Sequence, residues 1–398
     1  MTITSLTYTP PIRRTAATTT LDFELLEAAI AHFEAGEFLE AVQKVFMHIV
    51  PNTPVDLVHT PVSFTQGSSR VSAKLVDGWL DITVPLVRLP AGGGAVAALR
   101  YALTSINGSG QLSQARLHGD DLFLEFRERL DALHPHKLVE VLRRMPMAAD
   151  RHDDWMVGQF GATALDRGSI QPVTDDEANA AHEIWKLHWN DVEELFKDAQ
   201  RKRSVWFLNE VTAFTLNRLR FALPLGGSLL PRLMESGNTF NDSDVDPMKR
   251  ETALAKCIKE MKAVSADELR KNLGHAEYAI SPLAEGTGAK IGEFFIEGSY
   301  MESIDKYRHT GNPLEALIAL TGTYYYLLAT HTWDPEIEAA LKAGLAAASG
   351  KPLREAANLM FDHATELAAA VADDDDGDED DEDDDDDDDS DEEEAGNE

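Results

Sequence analysis

The sequence predicts an α+β domain, with helices on one face of an antiparallel sheet, followed by a mostly α-helical region and a disordered acidic tail. Three observations carry this. Up to Gly161, apolar residues move from helical spacing to strict alternation and back. From Ala178 onward they keep helical spacing almost without interruption. The run from Asp373 to Glu398 holds 21 acidic residues and no basic ones.

Residues 1–20 are rich in threonine and contain Pro10, Pro11 and the pair Arg13 and Arg14. No apolar segment of the kind an export signal needs follows the arginines, so a flexible leader is expected. From Leu21 to Val50, Phe23, Leu26, Ile30 and Phe33 recur at helical spacing, Gly36 interrupts, and Phe38, Val42, Val45, Phe46 and Ile49 resume it. That pattern is a helical hairpin.

The period then becomes two. Val62 and Phe64, then Val71, Ala73 and Leu75, alternate with polar residues, Asp77-Gly78 supplies a tight turn, and Leu80, Ile82, Val84 and Leu86 alternate again. Gly92 to Gly94 opens a helix carrying Val96, Leu99, Leu103 and Ile106, which ends at Asn107-Gly108. Leu112 to His118 and Leu122 to Phe126 form a second strand pair around Gly119-Asp120. A further helix starts near Pro135, with Leu138, Val141, Leu142 and Met145 on one face, and continues past Pro146 to Phe160. This order gives residues 21–161 an α+β architecture.

Residues 162–177, rich in Gly, Asp, Thr and Pro, are expected to be a linker. Residues 178–372 are expected to be a helical domain, in which Trp185, Trp189, Phe196, Phe207, Phe214 and Phe221 form a core stripe. Leu225 to Asp246 is expected to be a loop, with helices resuming near Pro247 and breaking at Ser281-Pro282 and Gly286 to Gly292. The turn from Gly36 to Ala41 is echoed at Gly311 to Ala316 and, loosely, at Gly350 to Ala356, which suggests tetratricopeptide-like helix pairs.

Composition bounds the function classes. The 398 residues are 43% hydrophobic, enough for a substantial core. Of the net charge of −34, most is local: outside the acidic run, 49 acidic residues face 36 basic ones. Such a body is repelled by phosphate backbones and anionic lipid, which argues against direct nucleic-acid binding and against membrane association. No apolar run reaches the roughly 18 residues that cross a bilayer. The single cysteine, Cys257, forms no internal disulfide and fits a reducing cytoplasm as a small buried hydrophobe.

The strand Gly78-Trp79-Leu80-Asp81-Ile82, the exit Leu86-Val87-Arg88-Leu89-Pro90 and the helix ending at Ile106-Asn107 carry a resemblance. In these residues and in its order of elements, the block 21–161 resembles the type III secretion chaperone-like fold, shared with YbjN-like bacterial domains. The resemblance implies a domain that binds extended segments of client proteins across its sheet and helices, often as a homodimer, with no catalytic residues. Members of that group are shorter and free-standing, so the helical region and acidic tail depart from the pattern.

Candidate chemistry is sparse. Asn241 to Asp246 offers alternating carboxylates, but Pro247 and Ala253 stand where a calcium loop needs glycine and a bidentate glutamate. Gly286 to Gly292 fits neither phosphate-binding pattern. His182 and His188 are six residues apart, on opposite faces of a helix, which is not metal-ligand spacing. Cys257 has no nearby histidine in sequence, and no nucleophile elbow occurs. No catalytic, cofactor-binding or metal residue is therefore assigned.

Two charged features remain. Lys197, Arg201, Lys202 and Arg203, with Arg218 and Arg220 nearby, form the one dense basic patch and a candidate intramolecular dock for the tail. In the tail, represented by Asp373, Asp380, Asp385, Asp389 and Glu393, adjacent carboxylates about 3.5 Å apart repel well inside the roughly 8 Å Debye length. The expectation is a non-enzymatic cytoplasmic chaperone or adaptor whose client has basic segments attracted by that tail. An acidic nucleic-acid mimic that blocks a basic nucleic-acid-binding protein is the alternative, and an enzyme of unrecognised type a second one.

Overall fold

The computed structural model describes residues 3–14, 22–50, 55–107, 112–166, 168, 170–296 and 298–375. The first half follows the predicted order. Helices α1 (Phe23–Glu34) and α2 (Phe38–Ile49) form a hairpin, with Asp22 capping α1 by accepting from the Leu25 amide. Strands β1 (Val62–Gln66), β2 (Ser69–Val76) and β3 (Trp79–Arg88) make a meander, whose second turn places Asp77 and Gly78 at φ of 52° and 79°. Helix α3 (Gly93–Tyr101) runs into a π-helical turn over Ala102–Ile106. Strands β4 (Gln114–His118) and β5 (Asp121–Arg129) form the second hairpin, and α4 (Pro135–Phe160) follows.

The sheet order is β1-β2-β3-β5-β4, antiparallel throughout, so the second hairpin joins through β5 and leaves β4 at an edge. Alternation decides which face is covered. Val71, Ala73, Leu80, Ile82, Val84, Leu122 and Leu124 are buried beneath the helices, with α4 packed on β2 and β3. Their neighbours in sequence point to the other face.

The second half is mostly helical, as expected. After β6 (Thr163–Ala164) and β7 (Gln171–Pro172) come α5 (Asp175–Lys202), α6 (Val205–Ala222), α7 (Leu229–Phe240), α8 (Pro247–Lys262) and α9 (Ala266–Lys271). Next are β8 (Gly274–His275), β9 (Ala284–Glu285), α10 (Gly288–Phe295), α11 (Ser299–His309) and α12 (Pro313–Thr330). β10 (His331–Thr332), α13 (Pro335–Ala348) and α14 (Leu353–Asp375) complete the chain's described elements. α12 is apolar almost all round and is the central helix, packed against α6, α11 and α14. Helices of that composition belong inside a core. The three echoed turns each join a packed helix pair, with Gly36, Gly311 and Gly350 all at positive φ (81°, 91° and 70°). The first pair, however, sits in the sheet half, so the three do not stack as one repeat array.

Five expectations need correction, one of them the helix break at Gly286 to Gly292, since Gly288 to Gly292 lie within α10. Residues 3–14, within the predicted flexible leader, are bound to the helical half: the Ile12 amide donates to Ala222 O (2.8 Å), the Gly350 amide to Leu6 O (2.8 Å) and the Tyr8 amide to Ser349 Oγ (3.0 Å). Leu6 enters the core there, and its burial offsets the ordering of the strap. The predicted linker 162–177 is structured: β6 pairs with β3, β7 with β8, and Thr174 caps α5 in a reciprocal capping box with Glu177.

Leu225 to Asp246 is not a loop but contains α7. Pro231 and Gly237 hide the helical signal, yet Leu229, Leu233 and Phe240 are fully buried, and Gly237 lets α7 approach Leu216. Finally, α14 runs on through Asp375 and so takes in the first three residues of the predicted tail. Asp380, Asp385, Asp389 and Glu393 lie outside the described residues.

Candidate functional site

The uncovered face of the sheet is the candidate site. Residues opposite in phase to the core alternate onto it: Lys74 from β2, Trp79, Asp81 and Thr83 from β3, Gln114 and Arg116 from β4, Glu125 and Arg127 from β5. All of these but Trp79, with Lys137 at the start of α4, line a concavity of about 600 Å³ that also takes in Ile82, Phe126 and Glu128. The sheet's twist supplies the curvature and the alternation supplies the polarity.

Its charges are paired across strands. Arg127 Nε lies 3.1 Å from Asp81 Oδ1, and the guanidinium sits 5.2 Å over the Trp79 ring. Glu125 lies 3.6 Å from Arg116 and 2.5 Å from His118, while Lys137 is 2.5 Å from Glu128. Exposed pairs of this kind contribute at most about 1 kcal/mol each. A partner can therefore replace them with its own charges at little cost, and the stacked Trp79 offers an apolar anchor.

The edge of this face is guarded. The Asn107 amide oxygen accepts from the Ala115 amide (2.5 Å) and its Nδ2 donates to Ala115 O (3.2 Å), so one side chain substitutes for a neighbouring strand along β4. The π-helical turn delivers Asn107 to that position. The opposite edge is closed by the helical half: the Gln66 side chain donates to Ile280 O (2.6 Å) and accepts from the Ala279 and Ile280 amides (2.9 and 3.0 Å). Gly67, at φ 63°, follows, and an added Cβ there would meet the Tyr278 ring at 3.0 Å. Neither Asn107 nor Gln66 stood out in the sequence, because nothing local marks a side chain as bonding distant backbone.

The basic patch has a different fate from the one expected. Lys197 is 3.0 Å from both Glu193 and Glu194, Arg201 pairs with Asp198, and Lys202 bridges Asp198 (3.2 Å) and the buried Glu315 (2.8 Å). Of the four expected dock residues, Arg203, exposed at the end of α5 with φ 52°, is the one with no ion pair among the described residues. Arg218 is buried, donating to Asp191 (2.7 Å) and to Thr7 O (2.9 Å), so it belongs to no surface patch. Local carboxylates thus already occupy most of the proposed tail dock.

The other candidates resolve into structure. Asp246 caps α8 by accepting from the Met248 and Lys249 amides, in place of any calcium role. Cys257 is fully buried, and burial pushes its thiol up to about 12. His188 is fully buried against Trp189 and Phe214, and that desolvation holds it well below the usual histidine range, with Arg218 adding repulsion. On α6, burial pushes Glu210 up to about 7, against a hydrogen bond with Tyr300 that favours its charged form. Among the described residues, no group of histidine, cysteine and carboxylate side chains is arranged to hold a metal ion. Among the described residues, no helix is long and apolar enough to cross a membrane.

No family model matches the sequence, and neither a curated protein nor a solved structure matches it. These comparisons add nothing to the expected resemblance to secretion chaperone-like domains, which rests on the element order and the residues quoted for it alone.

Proposed function

We propose that this protein is a non-enzymatic chaperone or adaptor that binds a client protein across the uncovered face of its sheet. The observation that carries this reading is the concavity of about 600 Å³, lined by the exchangeable pairs Asp81–Arg127 and Arg116–Glu125, with Trp79 beside it under the Arg127 guanidinium. In a domain of this size an uncovered sheet face with an aromatic anchor and a mixed-charge rim suits recognition of a polar, extended chain. The run of acidic residues after α14 adds long-range attraction for basic segments and raises the encounter rate with such clients. The lone, buried Cys257 fits a reducing cytoplasm.

Capture of partners from a cell extract at low salt tests this with three proteins: the full chain, a chain ending at Asp375, and a Trp79→Ala/Arg127→Ala double variant. The double variant is expected to lose the client at least about tenfold, roughly 1.4 kcal/mol, with unchanged circular dichroism. The shortened chain is expected to keep it with weaker salt dependence. Loss of every partner on shortening, with normal capture by the double variant, would establish the polyanion as the binding element and favour the nucleic-acid mimic.

A further inference from the structure

A second surface lies apart from the sheet face, on the outer side of α3. Ala98, Ala102 and Ile106, spaced by four, are the buried residues of this helix and its π-helical extension. Val96, Leu99 and Leu103, at i, i+3 and i+7, make a different stripe, in which Val96 is 53% and Leu103 66% exposed. On the adjoining β4, Leu117 is 45% exposed. Large apolar side chains lined up on one helix face at such exposure mark a contact surface rather than scattered surface residues.

The charge around this stripe says what would cover it. Between Ile82 and Gly119 the chain has no acidic residue at all, although 70 of its 398 residues are acidic. The cations in that stretch are Arg88, paired to Asp121 at 2.6 Å, Arg116, 3.6 Å from Glu125, and the exposed Arg100. Arg100, between Leu99 and Tyr101, has no ion pair among the described residues. The chain's own acidic run cannot fill the stripe, since from Asp373 on it has no apolar side chain larger than Ala395. A symmetric second copy would set Arg100 against its counterpart. An added strand is resisted where Asn107 already satisfies the Ala115 backbone.

We propose that the Val96–Leu99–Leu103 stripe docks an amphipathic helix of a partner protein, with apolar residues at i, i+3 or i+4, and i+7 and acidic residues on its flanks. This docking stands independently of whether a client occupies the sheet face.

The probes are synthetic amphipathic helices with one leucine stripe and either glutamate or lysine flanks, plus a scrambled glutamate-rich control, titrated into the full chain by fluorescence anisotropy. The glutamate-flanked helix is expected to bind at least about tenfold tighter than the other two. Leu103→Glu and Val96→Glu, at exposed positions, should each weaken it by about tenfold or more with unchanged circular dichroism, and Arg100→Glu should reverse the flank preference. Equal binding of the scrambled peptide, or an unaffected Leu103→Glu variant, would overturn the proposal. So would a dimer of the full chain that Leu103→Glu converts to monomer, because the occupant would then be a second copy.

Discussion

Gln66 shows how much can rest on one side chain. It stands at the end of β1 and holds the backbone of Ala279 and Ile280, which belong by sequence to the helical half but pack in the sheet's core. Gln66→Ala removes three buried hydrogen bonds, about 3 kcal/mol at roughly 1 kcal/mol each. Urea unfolding should show that loss, and the joint transition should broaden or split as the halves uncouple. Glu210 gives a sign-definite pH effect. Its carboxyl is raised in the folded state, so its contribution to stability is present below its unfolded value and is lost as pH rises through about 7. Glu210→Gln should flatten the decline in stability between about pH 4.5 and 7, and a pH series of denaturation midpoints reads it directly. An unchanged decline would show that Glu210 is not its source.

Among the elements, those with clean periodicity were legible in the sequence: the α1–α2 hairpin, all five main strands with the Asp77-Gly78 turn, and α4 running through Pro146. The elements that hid did so for physical reasons. α7 carries proline and glycine inside a helix that burial of Leu229, Leu233 and Phe240 stabilises, a tertiary term that local propensity does not contain. The strap 3–14 and the strands β6 to β8 form through contacts with residues far away in the chain. Of the site, the alternation named Trp79 and its neighbours as residues of β3, but the concavity needs four strands in register. The basic patch was legible as charge and illegible as paired charge, because Glu315 reaches Lys202 from 113 residues away. At this scale Asn107 is testable. Asn107→Ala should cost about 1–2 kcal/mol from two hydrogen bonds and leave the β4 edge open to pairing, seen as concentration-dependent light scattering. A variant as monodisperse as the parent would mean that the cap has no protective role.

For the molecule as a whole, the two hydrophobic cores are joined by segments that cross between them. Ala279 and Ile280 enter the sheet half, and α4 meets α7. Under the proposed function, a client meets this face as a preformed surface, with little ordering cost on the protein's side. Under the same proposal, the acidic run acts over longer range and in a salt-dependent way, and so governs encounter more than residence. The most direct measurement is hydrogen exchange on the full chain, alone and with its captured client. Slowed exchange concentrated in β2, β3, β5 and β4 around Trp79 and Arg127 is the result this account predicts. Protection confined to the helical half, with the sheet unchanged by the client, would contradict it.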